Sequence, residues 1–551
     1  MSTPTGAYGE PDATTTAEPT KPAKQDANGT ASTDASLNAR VRTPHSGKPN
    51  KRITIIIAIV AVIAIVIGVI AVINNRKTNE TAASNDTVTI GLKLAPVSLD
   101  IRHQSGSAIE QVLIGNVYEG LVSRDSDNKV QPGLASSWEI SDDGTTYTFH
   151  LNKNMRFSNG DKLDAEDAAW SINQLKEKQY YNANQVASLE HAEAVDANTL
   201  KLTLSTPDSN LLWYLSGRPG LVFDRNATYD AKTEAVGSGP YTVTSFDSGS
   251  KMVLEANPNY WGSEHQAKTK HVVLRFITDD NAAINALKSG DVQVLSPVDA
   301  TLAKSLDTDK YQVSVADGSD KFVLAFNCTN SKLSDKRVRQ AIRYGINHKE
   351  IIASRGNVDS TLGGPIPSVD PGYEDLTDLY PYDVSKAKNL MAQAGYSTSH
   401  PLELTLTYAN TYGTELGDQL RSQLAKIGIT LNINYVEFST WLQDVHANGD
   451  YELSLVDHAE SHDFYKWTTP DYYYHYDSKT VQSLYAKALA STDSKESERY
   501  LKQAAKQVSE DAPADWLFGY RVTVARSKTV QGFPDKLSQT VLPLWRISLA
   551  Q

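Results

Sequence analysis

Residues 53–73 read ITIIIAIVAVIAIVIGVIAVI: 21 positions, all Ile, Val or Ala apart from Thr54 and Gly68. A bilayer core takes about 20 apolar helical residues to cross. A buried helix of a soluble protein would show a polar face, and this run has none. A cleaved signal peptide has an apolar core of roughly 7–15 residues that ends at a small-residue site. This run is longer and ends in Asn74-Asn75-Arg76-Lys77, and the nearest small-residue site is Thr81-Ala82-Ala83. The reading is a retained transmembrane helix at 53–73. Arg40, Arg42, Lys48, Lys51 and Arg52 precede it, whereas only Arg76 and Lys77 follow it closely. Basic flanks stay in the cytoplasm. The expectation is a single-pass cell-membrane protein with a cytoplasmic N-terminus and its remaining mass outside.

Residues 1–52 are rich in Thr, Ala, Pro, Asp and Lys and lack apolar periodicity, so they read as a disordered cytoplasmic tail. Residues 74–85 read as a stalk. The chain carries a formal charge of −12; residues 1–77 hold a net +4, which leaves −16 for the rest. An acidic external region without a basic stripe argues against nucleic acid as a partner. The single cysteine, Cys328, excludes an intrachain disulfide and reads as a small buried hydrophobe. No cysteine near residue 74 offers a lipid attachment point, so the helix does the anchoring. The roughly 470 external residues exceed one hydrophobic core and imply two lobes or more.

Strands and helices alternate along that region, which makes the fold class α/β or α+β. Strands are predicted at 88–92, 200–204, 272–277, 402–408 and 430–436, and hairpins at 136–151, around Asp142-Asp143-Gly144, and at 241–256. Helices are predicted at 108–121, from Asp164 as N-cap, at 281–289 ended by Gly290, and near 336–345, 384–394, 414–427 and 494–510.

Several segments together resemble the large peptide- and nickel-type (family 5) extracellular solute-binding proteins of bacterial ABC importers. They are Val130-Gln-Pro-Gly-Leu-Ala-Ser-Ser-Trp138 with Asp143-Gly144 and Met155-Arg-Phe-Ser-Asn-Gly160; Gly237-Ser-Gly-Pro-Tyr241 leading to Asn257-Pro-Asn-Tyr-Trp261; Ala286-Leu-Lys-Ser-Gly-Asp291; Asp335-Lys-Arg-Val-Arg-Gln-Ala-Ile342; Tyr382-Asp-Val-Ser-Lys-Ala-Lys-Asn-Leu390 with Ala394-Gly-Tyr396; and Glu510-Asp-Ala-Pro513. They occur in the family's order over about 86–551. Each also has a plain physical job. Gly237 and Gly239 permit close backbone approach. Val338, Ala341 and Ile342 form one helix face, with Arg337, Arg339 and Arg343 read as solvated or paired. Trp138 and Trp261 read as core.

The resemblance implies a two-lobed clamp of the periplasmic-binding-protein type, in the large class with an extra subdomain. Lobe I would cover 86–320 with an inserted subdomain at about 124–236, lobe II would cover 321–520, and 521–551 would return to lobe I. One hinge crossing is expected near 322–327. Ligand would be buried by hinge closure. The closed form would deliver an oligopeptide or other small solute to a membrane permease driven by its ATPase subunits. The chain lacks a G-x-x-x-x-G-K-[ST] loop of its own. A monomer is expected, with no cofactor.

Peptide-binding relatives follow a strand of the second lobe with a Trp and, three residues on, an Asp that pairs with the peptide ammonium. Here the matching strand, 451–456, continues Asp457-His458-Ala459-Glu460-Ser461-His462-Asp463, so His458 stands for the Trp and Ser461 for the Asp. Glu460 or Asp463 then become the candidate carboxylates. His458, Glu460 and His462 have period two; on a continuing strand they share a face and could ligate a transition metal, which keeps nickel or a metal chelate open as the ligand. Tyr473, within Pro470-Asp-Tyr-Tyr-Tyr-His-Tyr476, reads as cleft lining or as packing. Tyr408 and Asn410, after a strand, and Pro96, near the first strand, complete the candidate ligand residues. The cross-class reading, a secreted hydrolase, finds no G-x-S-x-G, no H-E-x-x-H and no Cys beside a base candidate. A glycosidase-type carboxylate pair stays open by residue type, and it is the ordered clamp motifs that make the reading a non-enzyme.

Overall fold

The computed structural model describes residues 86–537 and 541–550. The predicted tail, transmembrane helix and stalk lie outside the described residues. Among the described residues, no helix is long and apolar enough to cross a membrane.

In chain order the strands are β1 (Thr87–Leu92), β2 (Val122–Arg124), β3 (Val130–Pro132), β4 (Ala135–Ile140), β5 (Thr146–Leu151), β6 (Leu189–Asp196), β7 (Thr199–Leu204), β8 (Tyr241–Asp247), β9 (Lys251–Ala256), β10 (His271–Phe276), β11 (Val294–Leu295), β12 (Tyr311–Phe326), β13 (Leu402–Ala409), β14 (Ile429–Val436), β15 (Leu453–His458), β16 (Ala514–Ser527), β17 (Val530–Gln531) and β18 (Ser548–Leu549). Ten of them form one mixed sheet in the order β14-β13-β15-β12-β16-β11-β1-β10-β9-β8. A separate antiparallel sheet, β4-β5-β7-β6, belongs to a subdomain with its own core, to which Phe149, Ile172 and Leu200 contribute. Asp164 caps the helix Ala165–Glu177 there, through a capping box with Asp167, as the sequence predicts.

Side-chain alternation along β12 explains how lobe II is layered. Phe322, Leu324 and Phe326 enter one core, whereas Val323 and Ala325 enter another on the opposite sheet face. The first core is closed by the helices Lys336–Gly345 and Glu415–Ala425, the second by Lys479–Ala490 and Ser494–Asp511. A third core, around Val88, Ile90, Val272 and Leu274, fills lobe I and is joined by Leu542, Leu544 and Ile547 from the C-terminal return.

One expectation is corrected. The helix predicted over 108–121 stops at Leu113, because Ile114 is extended and Gly115 has φ 70°. The chain then pairs outward, with the Leu121 amide donating to the Gly220 carbonyl at 3.0 Å. At the expected hinge crossing, 322–327, Phe322–Phe326 is buried in the two cores that flank β12, and the β12–β16 register shifts twice close by, between Asp317 and Lys321 and between Phe322 and Val323.

The Gly237-Ser-Gly-Pro-Tyr241 turn packs directly on the 116–119 backbone. A Cβ at Gly237 would overlap the Val117 carbonyl. Under this turn Glu119 is buried, accepting from Tyr260 Oη at 3.0 Å, Ser238 Oγ at 2.9 Å and Trp261 Nε1 at 2.9 Å. Trp261 is thus tied into the scaffold. Burial raises the Glu119 carboxyl to about 7, against the lowering effect of these donors. The folded state therefore binds its proton more tightly than the unfolded chain does. Its contribution to stability is complete below about pH 4.5 and is lost as pH rises toward 7, a change of roughly 3 kcal/mol. Glu119→Gln should flatten that part of the stability–pH curve, measured by denaturant unfolding from pH 4.5 to 8. An unchanged slope would assign the dependence to other groups.

Candidate functional site

A cavity of about 900 Å³ lies where three parts of the chain meet. The subdomain contributes 127–130 and Ser209–Trp213, the crossing strands Val315–Asp317 and Arg521, and lobe II Ser368–Tyr373, His462 and the exposed face of Ser494–Asp511. This volume is at the upper end for small-ligand sites.

At the crossing, Arg521 Nε donates to Asp317 Oδ1 at 2.7 Å, and Ser368 Oγ donates to Asp317 Oδ2 at 3.0 Å. Across the cavity, Asp370 is buried in the Pro367-Ser-Val-Asp-Pro-Gly372 turn and holds the loop after β15. It accepts from Ser461 Oγ and, at 2.8 Å, from the His462 amide. His462 has φ 58°, so β15 does not continue through it. Burial pushes the His462 imidazole down to about 4, aided by Arg124 and Lys321 and opposed by Asp370. Beneath the loop, Lys321 Nζ reaches Asp463 at 3.1 Å and the Glu460 carbonyl at 2.8 Å, while Lys466 Nζ reaches the Glu460 carboxylate at 3.2 Å. Burial raises the Asp463 carboxyl even though Lys321 and Lys466 oppose the shift.

The predicted residues separate accordingly. His462 lines the cavity, and Asp463 joins it and Asp370 in a small adjacent pocket. Glu460 is half-exposed and paired with Lys466. His458 ends β15 on the same face as Ser454 and Val456, which points it into the aromatic core: its Nε2 lies 2.9 Å from Tyr473 Oη and 2.6 Å from Tyr474 Oη. Tyr473 is buried in that core, Tyr408 packs in the other lobe II core with its hydroxyl on the Gly413 carbonyl, and Pro96 is buried. Asn410 is exposed and donates to Glu437 at 2.7 Å. None of Tyr473, Tyr408, Pro96 and Asn410 lines the cavity.

Direct metal ligation by His458, Glu460 and His462 together is corrected as well. It needed a continuing strand, and β15 stops at His458. Among the described residues, no group of three His, Cys, Asp or Glu side chains is placed to hold a metal ion. The sequence reading missed Asp370, Trp213, Asp317 and Arg521. The Pro-Gly turn around Asp370 is the signal that was available for the first.

Residues 129–495 match the description "Bacterial extracellular solute-binding proteins, family 5 Middle". A glutathione-binding protein of Pectobacterium atrosepticum is 26% identical over 484 residues, covering 83% of this chain and 93% of that protein. Among solved structures, the ABC transporter substrate-binding protein CtaP of Listeria monocytogenes superposes with a TM-score of 0.74 at 21% identity, covering 84% of this chain and 99% of that one. The periplasmic binding protein DppA of Helicobacter pylori, in complex with the peptide STSA, gives a TM-score of 0.68 at 23% identity, covering 84% and 98%.

Proposed function

Because the chain belongs to family 5 of the bacterial extracellular solute-binding proteins, we propose that it captures a short peptide or peptide-like solute in the three-walled cavity and delivers it to the permease of an ABC importer. The observation that carries this reading is a cavity with a carboxylate at one wall, Asp370, and a guanidinium at the crossing, Arg521. A peptide presents an ammonium and a carboxylate, and a buried charge needs a partner of opposite sign. Asp370 sits on Ser461, the position at which peptide-binding relatives carry their acid, so it supplies the carboxylate from a different loop. The peptide-bound and glutathione-binding relatives support the same solute class.

Residues 53–73 tether the receptor near its permease in this reading, with residues 1–52 inside and lobes I and II outside. The length and apolarity of the run support the tether; a mature N-terminus near Ser84 would overturn it.

The test of the ligand is thermal unfolding with reduced glutathione and with tri- and tetrapeptide pools. A ligand that binds only the native state at 100 times its Kd stabilises by about 2.7 kcal/mol, enough to raise Tm by several degrees. No shift with glutathione or any pool at millimolar concentration would overturn the peptide reading.

A further inference from the structure

The inserted subdomain touches lobe II directly, along a seam away from the crossing strands. On the short helix Leu211–Leu215, Leu211 and Leu215 enter the subdomain core, whereas Trp213 does not. Trp213 instead stacks on His462, with ring centroids 4.1 Å apart at 22°, and the Arg124 guanidinium lies 4.7 Å from the indole centre. Just before it, Ser209 meets the last turn of the lobe II helix Lys479–Ala490, where carbonyls have no partner within the helix. The Ser209 amide donates to the Leu489 carbonyl at 3.0 Å and its hydroxyl to the Ala488 carbonyl at 3.1 Å. Asn210 Nδ2 adds a bond to Tyr485 Oη at 3.3 Å.

We infer that the inserted subdomain is a jaw of the clamp, and that Trp213 latches it onto lobe II by stacking on His462. The seam completes the cavity: Ser209–Trp213 is one of its walls, and His462 belongs to the wall it meets. When the seam parts, that wall leaves and the Leu489 carbonyl gives up the Ser209 amide, while the Ala488 carbonyl keeps the Ser491 amide and the Ser497 hydroxyl. Trp213 is therefore a positioning residue for closure. Its side chain lies outside the subdomain core, so shortening it leaves that core intact.

The test measures closure in the full chain without ligand, so its failure leaves the proposed solute class standing. Spin labels are placed on the subdomain and on lobe II by Val195→Cys and Lys506→Cys, both exposed, in a Cys328→Ala background. Pulsed electron–electron resonance then reads the distance between them. The parent should show a docked short-distance band. Trp213→Leu should lower the ratio of docked to undocked molecules roughly 5-fold, and Trp213→Phe, which keeps a ring, should stay within about 2-fold of the parent. Thermal melts of all three check that the fold survives. A parent without the docked band would overturn the inference, and so would a docked fraction unchanged in Trp213→Leu.

Discussion

Arg343→Met is expected to cost about 3–5 kcal/mol of folding stability, the range for removing one partner of a buried ion pair. Arg343 and Asp515 have side chains only 3% and 0% exposed. Arg343 Nε donates to Asp515 at 3.2 Å, and its other nitrogens reach the Ser509 carbonyl at 2.7 Å and the Gly363 carbonyl at 3.1 Å. Its guanidinium also lies over the Tyr380 and Trp516 rings, at 4.2 and 5.0 Å. Burial alone would raise the Asp515 carboxyl, but His348, at 2.7 Å, and Arg343 hold it below its usual range. Methionine fills much of the same volume but leaves Asp515 buried with its guanidinium partner gone and the hydrogen bond to His348 remaining. Denaturant unfolding measures the loss. A change below about 1 kcal/mol would mean that this network is not what joins the helix Lys336–Gly345 to β16.

Asp370→Ala is expected to weaken binding of the peptide or glutathione ligand by roughly 30- to 1,000-fold, the equivalent of about 2–4 kcal/mol for truncating a desolvated charge partner. Two roles are combined in that loss: the carboxylate faces the cavity, and it holds Ser461 and the His462 amide. Asp370→Asn separates them, because an amide oxygen still accepts hydrogen bonds but carries no charge. Isothermal titration should show Asn nearly as weak as Ala if charge recognition dominates. Wild-type affinity in the Asn variant would reduce Asp370 to a holder of the loop and would remove the ammonium from the proposal.

Features set by local chemistry were legible in the sequence. Asp164 caps its helix because cap and capping box lie within four residues of each other. Gly237 needs its missing Cβ because of a turn whose composition announces it. The misses share a different cause. Arg339 and Arg343 read as solvated or paired, with no partner named; Arg339 sits among the Leu333, Asp511 and Ala512 carbonyls and Arg343 on Asp515. Such partners come from positions more than 160 residues away for all but Leu333, and no periodicity encodes them. β12 was hidden by its polar middle, 317–321, which breaks the apolar alternation at the very place where its pairing with β16 is interrupted. His458 is placed in the cleft by standing where the family's Trp stands, and with Glu460 and His462 by a strand carried past it; β15 ends at His458, and side-chain alternation sends that ring into the aromatic core. Asp370 carries only the signal of its Pro-Gly turn in the sequence, because its role depends on Ser461, 91 residues on.

The pairing of β12 with β16 has a modular consequence. Lobe II departs along one strand and comes back along its hydrogen-bonded neighbour, so its entry and exit lie about 5 Å apart. Segments whose ends meet so closely can be exchanged without rerouting the host chain. The 366–373 turn, the 459–463 loop and the helix Ser494–Asp511 all travel inside that interchangeable block. Swapping it between relatives, with the junctions placed at paired residues such as Ala316 and Val522, is a direct route to transplanting solute preference while leaving lobe I unaltered.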